Sequence, residues 1–160
     1  ESLRIYRVAD KYIRFLHSRD NRVQWNKSAR RPYVGVVLYV GAYKYFVPME
    51  SPKENHKNIK PGHHIMKLDG GALGLLGFNN MIPVAESALI AFDFSKEHDR
   101  KYQDLLRRQA TFINRNKLQV IDHAQKTYYG VVRNKNKFLL RVCCDFKKLE
   151  HACDQYDPAR

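Results

Sequence analysis

The sequence predicts an α+β fold: a small twisted antiparallel sheet or barrel in the first part of the chain, covered by helices from the second. Two observations carry this. Strand signals dominate up to about residue 94, and from Lys96 onward the apolar residues recur at helical spacing. A third concerns organisation: no internal repeat, low-complexity tract or linker divides residues 1–160, a length that suits one domain able to bury a core from its 44% apolar content.

Taken in order, Ser2 to Val8 reads as a first strand. Asp10 can cap a short helix in which Tyr12, Ile13 and Leu16 share a face. Tyr33 to Val40 is rich in Val and Tyr, Gly41-Ala42 can turn it, and Tyr43 to Val47 returns it, so a hairpin is predicted that Pro48 ends. A loop is expected over Met49 to His63, then short strands at His64 to Leu68, Ala72 to Leu76, and Met81 to Phe94 with an interruption. Tyr102, Leu105, Leu106, Ala110 and Ile113 predict one amphipathic helix, and Leu118, Ile121, Ala124, Tyr128 and Val131 a second. A third, about Asp145 to Asp154, would bury Phe146, Leu149 and Cys153.

The balance of 29 basic against 16 acidic side chains gives a formal charge of +13, which attracts polyanions such as nucleic acid or an anionic membrane face. The charge is uneven. Residues 1–67 hold 14 basic and 5 acidic groups, residues 68–100 hold 2 and 5, and residues 101–160 hold 13 and 6. Two basic ends could face each other across a polyanion groove. Cys143, Cys144 and Cys153 are odd in number and form no CxxC pair, so free thiols in a reducing, cytoplasmic setting are expected. The longest uncharged run, Gly70 to Ala85, is broken by Asn79, Asn80 and Pro83, and no membrane partner is predicted.

Phosphate-loop, dinucleotide-loop and HExxH motifs are absent, and the carboxylates of the basic half (Glu1, Asp10, Asp20, Glu50, Glu54) are scattered, so no metal or other cofactor is predicted. Adjacent His63 and His64 would point to opposite faces of a strand. The chemistry concentrates instead in Glu50-Ser51-Pro52-Lys53-Glu54-Asn55-His56-Lys57-Asn58-Ile59-Lys60, where a hydroxyl, an imidazole and three ammonium groups follow the hairpin. Ser51 and Lys53 can hold a phosphate, Lys53 can neutralise charge building on a phosphorane, and His56 can move protons near neutrality. A solvated connection is the bland alternative. In a second stretch Arg19, Arg22, Lys27, Arg30 and Arg31 interleave with Trp25 and Tyr33, a pattern suited to single-stranded RNA, with phosphates neutralised and bases stacked. Trp25 serves equally well as a core plug. Tyr12 lies between Lys11 and Arg14 and suits either the core or a phosphate.

Several of these segments together resemble a known family. Lys11-Tyr12-Ile13, Val34-Gly35-Val36-Val37-Leu38, Lys44-Tyr45-Phe46-Val47-Pro48, Ser51-Pro52-Lys53 with His56 and Lys60, Met81-Ile82-Pro83 and Gln109 to Ile113 follow the order seen in the ToxN/AbiQ endoribonuclease toxins of type III toxin–antitoxin systems, closest to the CptN branch. The resemblance spans about residues 3–130. It implies an SH3-like barrel with appended helices, similar to MazF, Kid and CcdB. It also implies metal-independent, sequence-specific RNA cleavage by 2′-hydroxyl attack, leaving 2′,3′-cyclic phosphate and 5′-hydroxyl ends. The implied partners are a repeat pseudoknot RNA antitoxin, assembled with the toxin in a closed ring, and cellular or phage RNA substrates. The implied outcome is growth arrest and aborted phage infection.

Carried over by position, the resemblance makes Ser51 the active-site hydroxyl, Lys53 the active-site lysine and Tyr12 the functional tyrosine, with His56 the favoured proton carrier. Glu50 stands where relatives often have threonine, and Arg107 where they have a helix tyrosine. Lys11, Arg14, Arg22, Trp25, Lys27, Arg30, Arg31, Glu50, Lys57, Lys60 and Arg107 complete the expected RNA-binding set. A noncatalytic RNA-binding module also accounts for the charge and aromatics, and a DNA-directed toxin on a related barrel is a third reading.

Overall fold

A computed structural model of the chain describes residues 1–26 and 30–160. β1 (Arg4–Val8) leads into α1 (Asp10–Arg19), followed by β2 (Tyr33–Val40), β3 (Tyr43–Glu50), β4 (Ile65–Lys67), β5 (Leu75–Gly77), β6 (Ile82–Pro83) and β7 (Leu89–Ala91). The second part is helical: α2 (Arg100–Arg115), α3 (Lys117–Val132), α4 (Lys137–Val142) and α5 (Phe146–Gln155). The strands pair antiparallel in the order β4-β5-β3-β2-β1-β7, with β6 joined to the far end of β3. α3 lies against β2, and α5 against α1 and β6.

β3 organises the sheet. One edge follows β2, with Tyr33 opposite Pro48 and Gly35 opposite Phe46, and the register shifts between Gly35 and Leu38. The other edge is shared: Tyr45 and Phe46 meet β6, while Met49 and Glu50 meet β5. Pro48 therefore does not end the hairpin, as the sequence suggested. The Met49 N–H donates to Pro32 O on the β2 side at 3.0 Å, so by strand alternation the Pro48 nitrogen faces the opposite edge. There it falls between the β5 and β6 pairings, where a missing N–H costs no ladder bond. The strand thus runs to Glu50 and delivers Ser51 directly from a rigid element.

Tyr12, Tyr33, Tyr45, Phe46, Phe78, Tyr128 and Phe146 are fully buried at the centre of one apolar cluster joining sheet and helices. Burial of side chains this large contributes about 1.5–3 kcal/mol each, before conformational entropy is set against it. Their polar tips are satisfied where partners are at hand: Tyr12 Oη donates to Pro83 O at 2.5 Å, and Tyr45 and Tyr128 both donate to the buried Glu150 carboxylate, at 2.7 and 2.6 Å. Desolvation is the leading cause that pushes all three phenols upward. All three cysteines are unpaired, and burial raises the Cys143 thiol to about 12.

Other expectations shift in detail. Asp10 is the first residue of α1 rather than its cap, and its carboxylate instead accepts from Asn26 Nδ2 at 2.8 Å. Leu118 is 82% exposed, because α3 turns Val120, Ala124, Thr127 and Tyr128 inward. The interrupted strand expected over Met81 to Phe94 resolves into the short β6 and β7, with a turn at Glu86–Ala88 between them. α4 went unpredicted: six residues give too few turns for a period to show. Among the described residues, no helix is long and apolar enough to cross a membrane.

Candidate functional site

β3 ends at Glu50, and the chain continues through Ser51-Pro52-Lys53 into a 3₁₀ turn over Glu54–Asn58. His56 closes this turn upon itself. The Lys53 N–H donates to His56 Nδ1 at 3.3 Å, and the His56 N–H donates to the Lys53 carbonyl at 3.1 Å. With Nδ1 accepting, a neutral ring carries its proton on Nε2. The imidazole is 2% exposed, so the histidine expected to carry protons is a buried brace for the lysine two steps from Ser51.

The segment is pinned from behind by β5. Leu75 pairs with Glu50, and Gly74, at φ +100°, approaches so closely that a Cβ there would lie 1.9 Å from Glu50 O. From α2, the buried Gln109 holds the same stretch through a 2.8 Å bond from Nε2 to Leu73 O. Gln109, part of the Gln-to-Ile run noted in the sequence, thus fixes the strand that fixes Glu50 and Ser51.

A cleft of about 210 Å³ opens here, lined by Arg30, Arg31, Pro32, Met49, Glu50, Ser51, Lys53 and Tyr102. Ser51, Lys53 and Arg30 are exposed, Glu50 and Arg31 half-buried, and Lys53 Nζ lies 3.5 Å from Glu50 Oε1. Tyr102, read from the sequence as a core position of α2, contributes its half-buried phenol. Desolvation pushes that phenol up against the opposing pull of Arg7. Three cationic side chains, a hydroxyl, a phenol and one carboxylate around a small opening suit a phosphodiester.

The arginines are held by the stretch before β2. Arg30 and Arg31 donate their N–H groups to Asn26 O at 3.1 and 3.2 Å, and the buried Asn26 anchors its own amide on Val8 O and Asp10. Arg31 Nε donates to Trp25 O at 3.1 Å. Trp25 is 57% exposed and stacks on His17 with ring centroids 3.7 Å apart, so it is a surface platform and not a core plug. Lys27 lies outside the described residues.

The remaining expected residues do not line the cleft. Tyr12 is fully buried, packed edge-on against Tyr156, with its hydroxyl on Pro83 O. Pro83 sits opposite Tyr45, six residues and roughly 20 Å of strand from Ser51, so the structure does not bring Tyr12 to that loop. Lys11 donates to Pro158 O at 2.7 Å, and Arg14 is exposed on the same helix. Arg22 is structural, bound to the buried Asp20 at 3.1 Å and to Leu140 O at 3.1 Å. Desolvation opposes the charge on Asp20, but hydrogen bonds from the Asp145 and Arg22 N–H groups and the Arg22 guanidinium outweigh it and hold the carboxyl below its usual range. Lys57 pairs with Glu54 at 3.0 Å, Lys60 is exposed, and Arg107 lies 4.9 Å over the Phe94 ring.

Sequence reading missed Tyr102 and Asn26. The usable signal for Tyr102 was its position seven residues before Gln109, two helical turns along one face. No pattern flags Asn26, whose role is set by contacts distant in sequence. Among the described residues no group of three or more His, Cys, Asp or Glu side chains could hold a metal ion.

Comparison with known proteins gives the family. Residues 4–154 match the family described as toxin ToxN of the type III toxin–antitoxin system. The endoribonuclease ToxN of Bacillus thuringiensis subsp. kurstaki is 33% identical over 162 residues, covering 96% of this chain and 84% of the relative. Among solved structures, a chain from a study of selective toxin inhibition by a non-coding RNA pseudoknot superposes with a TM-score of 0.87 at 32% identity, covering 98% of both chains. AbiQ, a lactococcal anti-phage endoribonuclease of a type III system, gives a TM-score of 0.87 at 27% identity, again covering 98% of both. With its family model spanning nearly the whole sequence and its fold matched end to end, the chain belongs to the ToxN family of type III toxin–antitoxin toxins.

Proposed function

We propose that this chain is the endoribonuclease toxin of a type III toxin–antitoxin system, acting in the cytoplasm as one domain over residues 1–160. The observation that carries the reading is the cleft at the end of β3, where Ser51 and Lys53 meet Arg30 and Arg31 in a chain of this family. Its substrate is single-stranded RNA. The scissile phosphate sits against Ser51 Oγ and Lys53 Nζ, the arginines neutralise its neighbours, and a base stacks on Trp25.

The neighbouring ribose 2′-hydroxyl attacks phosphorus, leaving 2′,3′-cyclic phosphate and 5′-hydroxyl ends without a metal. Positive groups already in place around the phosphorane supply the largest share of the acceleration, because they need no reorganisation when its charge develops. Tyr12 and His56 enter as positioning residues. Tyr12 locks α1 to β6, and His56 sets the backbone that presents Lys53.

A pseudoknot repeat RNA is the antitoxin. It inhibits by occupying the same basic groove, and toxin and RNA close into a ring. Release of the toxin cleaves cellular or phage RNA, arrests growth and aborts phage infection. An SH3-like, MazF-related barrel is the fold we assign to the sheet, supported by the way β3 serves β2 on one edge and both β5 and β6 on the other. Placement in the CptN branch rests on the motif order.

Incubating purified protein with mixed RNA in excess EDTA tests the reading. Cyclic phosphate and 5′-hydroxyl ends are expected, absent with Ser51→Ala and at a site carrying a single 2′-deoxyribose. Intact RNA from antitoxin-free wild-type protein would leave a noncatalytic RNA-binding module.

A further inference from the structure

Attack by a 2′-hydroxyl needs a group to take its proton, and the Ser51 cleft offers few. Arginine and lysine side chains are donors with no acceptor, and a serine hydroxyl is no base. The Tyr102 phenol is held in its neutral form by desolvation. Pro32 and Met49 bring no proton chemistry. The buried His56 has its Nδ1 occupied by the Lys53 N–H. Among the described residues lining the cleft, one proton acceptor remains: the half-buried carboxylate of Glu50, whose Oε1 lies 3.5 Å from Lys53 Nζ.

Its placement is firm. Glu50 is the last residue of β3, its backbone pairs with Leu75, and Gly74 packs on its carbonyl. The carboxylate is therefore carried by a strand end while the phosphate-binding groups follow on the next three residues.

We propose that Glu50 is the proton acceptor of the cleavage step. Its carboxylate takes the 2′-hydroxyl proton as the O2′–P bond forms and the P–O5′ bond breaks. Water protonates the departing 5′-oxygen, and the hydroxide left by that water recovers the proton from Glu50. The proposal rests on the endoribonuclease reading above, and its test separates the two.

Once the wild-type cut site is mapped, two RNAs are compared that differ only in the 5′-bridging atom there, oxygen or sulfur. A sulfur leaving group departs without a proton, so the sulfur substrate reports only on activation of the attacking hydroxyl. Glu50→Gln is expected to cut both RNAs slower by a similar factor, roughly 10²-fold or more. RNA affinity should be retained or tightened, because an anion has left a phosphate site. Glu50→Asp should recover part of the rate on both, and Glu50→Thr, which offers a hydroxyl and no carboxylate, should be slow on both.

A Glu50→Gln defect confined to the oxygen substrate would make the carboxylate a proton donor and overturn the proposal, as would wild-type rates in Glu50→Gln and Glu50→Thr. Wild-type protein that cuts no RNA, leaving no site to map, overturns the endoribonuclease reading itself.

Discussion

Lys53 and His56 bind each other twice: the Lys53 N–H reaches His56 Nδ1 at 3.3 Å, and the His56 N–H returns to the Lys53 carbonyl at 3.1 Å. The pair turns a tetrapeptide into a rigid bracket at the mouth of the cleft. His56→Ala is expected to cost about 1–3 kcal/mol, because it empties a buried side-chain site and removes the acceptor of the part-buried Lys53 N–H, and to slow RNA cleavage. His56→Asn keeps an acceptor and should restore part of both losses. Urea melts and single-turnover cleavage check this. A histidine that moved protons would instead show full loss of rate with stability intact.

Gly74 sets the floor beneath Glu50. A Cβ would strike Glu50 O at 1.9 Å, and φ is +100°, so Gly74→Ala combines a backbone clash with strain. We expect destabilisation above about 3 kcal/mol or displacement of the Ser51 loop with loss of cleavage. Gly70 is the control: its φ is +63° with nothing within 4 Å, so Gly70→Ala should cost only about 1 kcal/mol. Equal midpoints in urea for the two variants would contradict the close packing.

Trp25 and Arg31 should separate stacking from charge. Trp25→Ala removes an exposed platform and should weaken RNA binding by about 1–3 kcal/mol with the salt dependence unchanged. Arg31→Ala should lower the slope of log affinity against log salt by about 1. Filter binding at several salt concentrations distinguishes them.

Buried phenols set an alkaline limit on stability. Desolvation raises Tyr12, Tyr33 and Tyr45 above their value in an unfolded chain, near 10. Above that pH the unfolded state loses phenolic protons that the folded state keeps, so stability is whole below about pH 10 and falls as pH rises, by about 1.4 kcal/mol per unit for each group. The share of phenolate absorbance that belongs to the buried tyrosines should appear together with loss of helical circular dichroism, after that of exposed Tyr39. Tyr12→Phe should trim the alkaline slope and cost about 1 kcal/mol at neutral pH.

The hairpin β2–β3 was legible because an uninterrupted Val/Tyr run, a Gly41-Ala42 turn and a second run agree with one another. α2 and α5 were legible from their apolar stripes. The Ser51-to-Lys53 segment stood out by composition alone. What escaped depended on partners far along the chain. Pro48 looks like a terminator until the split partners of β3 are known. Burial of His56 follows from packing on Gly71, and Tyr102 sits at a helix position where a core-facing period cannot tell interior from cleft wall. Tyr12 had two readings, and the 2.5 Å bond to Pro83 favours the interior.

Pro48 has one more consequence, for the continuity of the ladder. Along the shared edge of β3, the Met49–Glu50 rungs and the Tyr45–Phe46 rungs are separated by a residue with no amide to link them. The ladder on that edge is therefore two separate blocks, and losing the Met49–Glu50 rungs would remove no hydrogen bond from the Tyr45–Phe46 block.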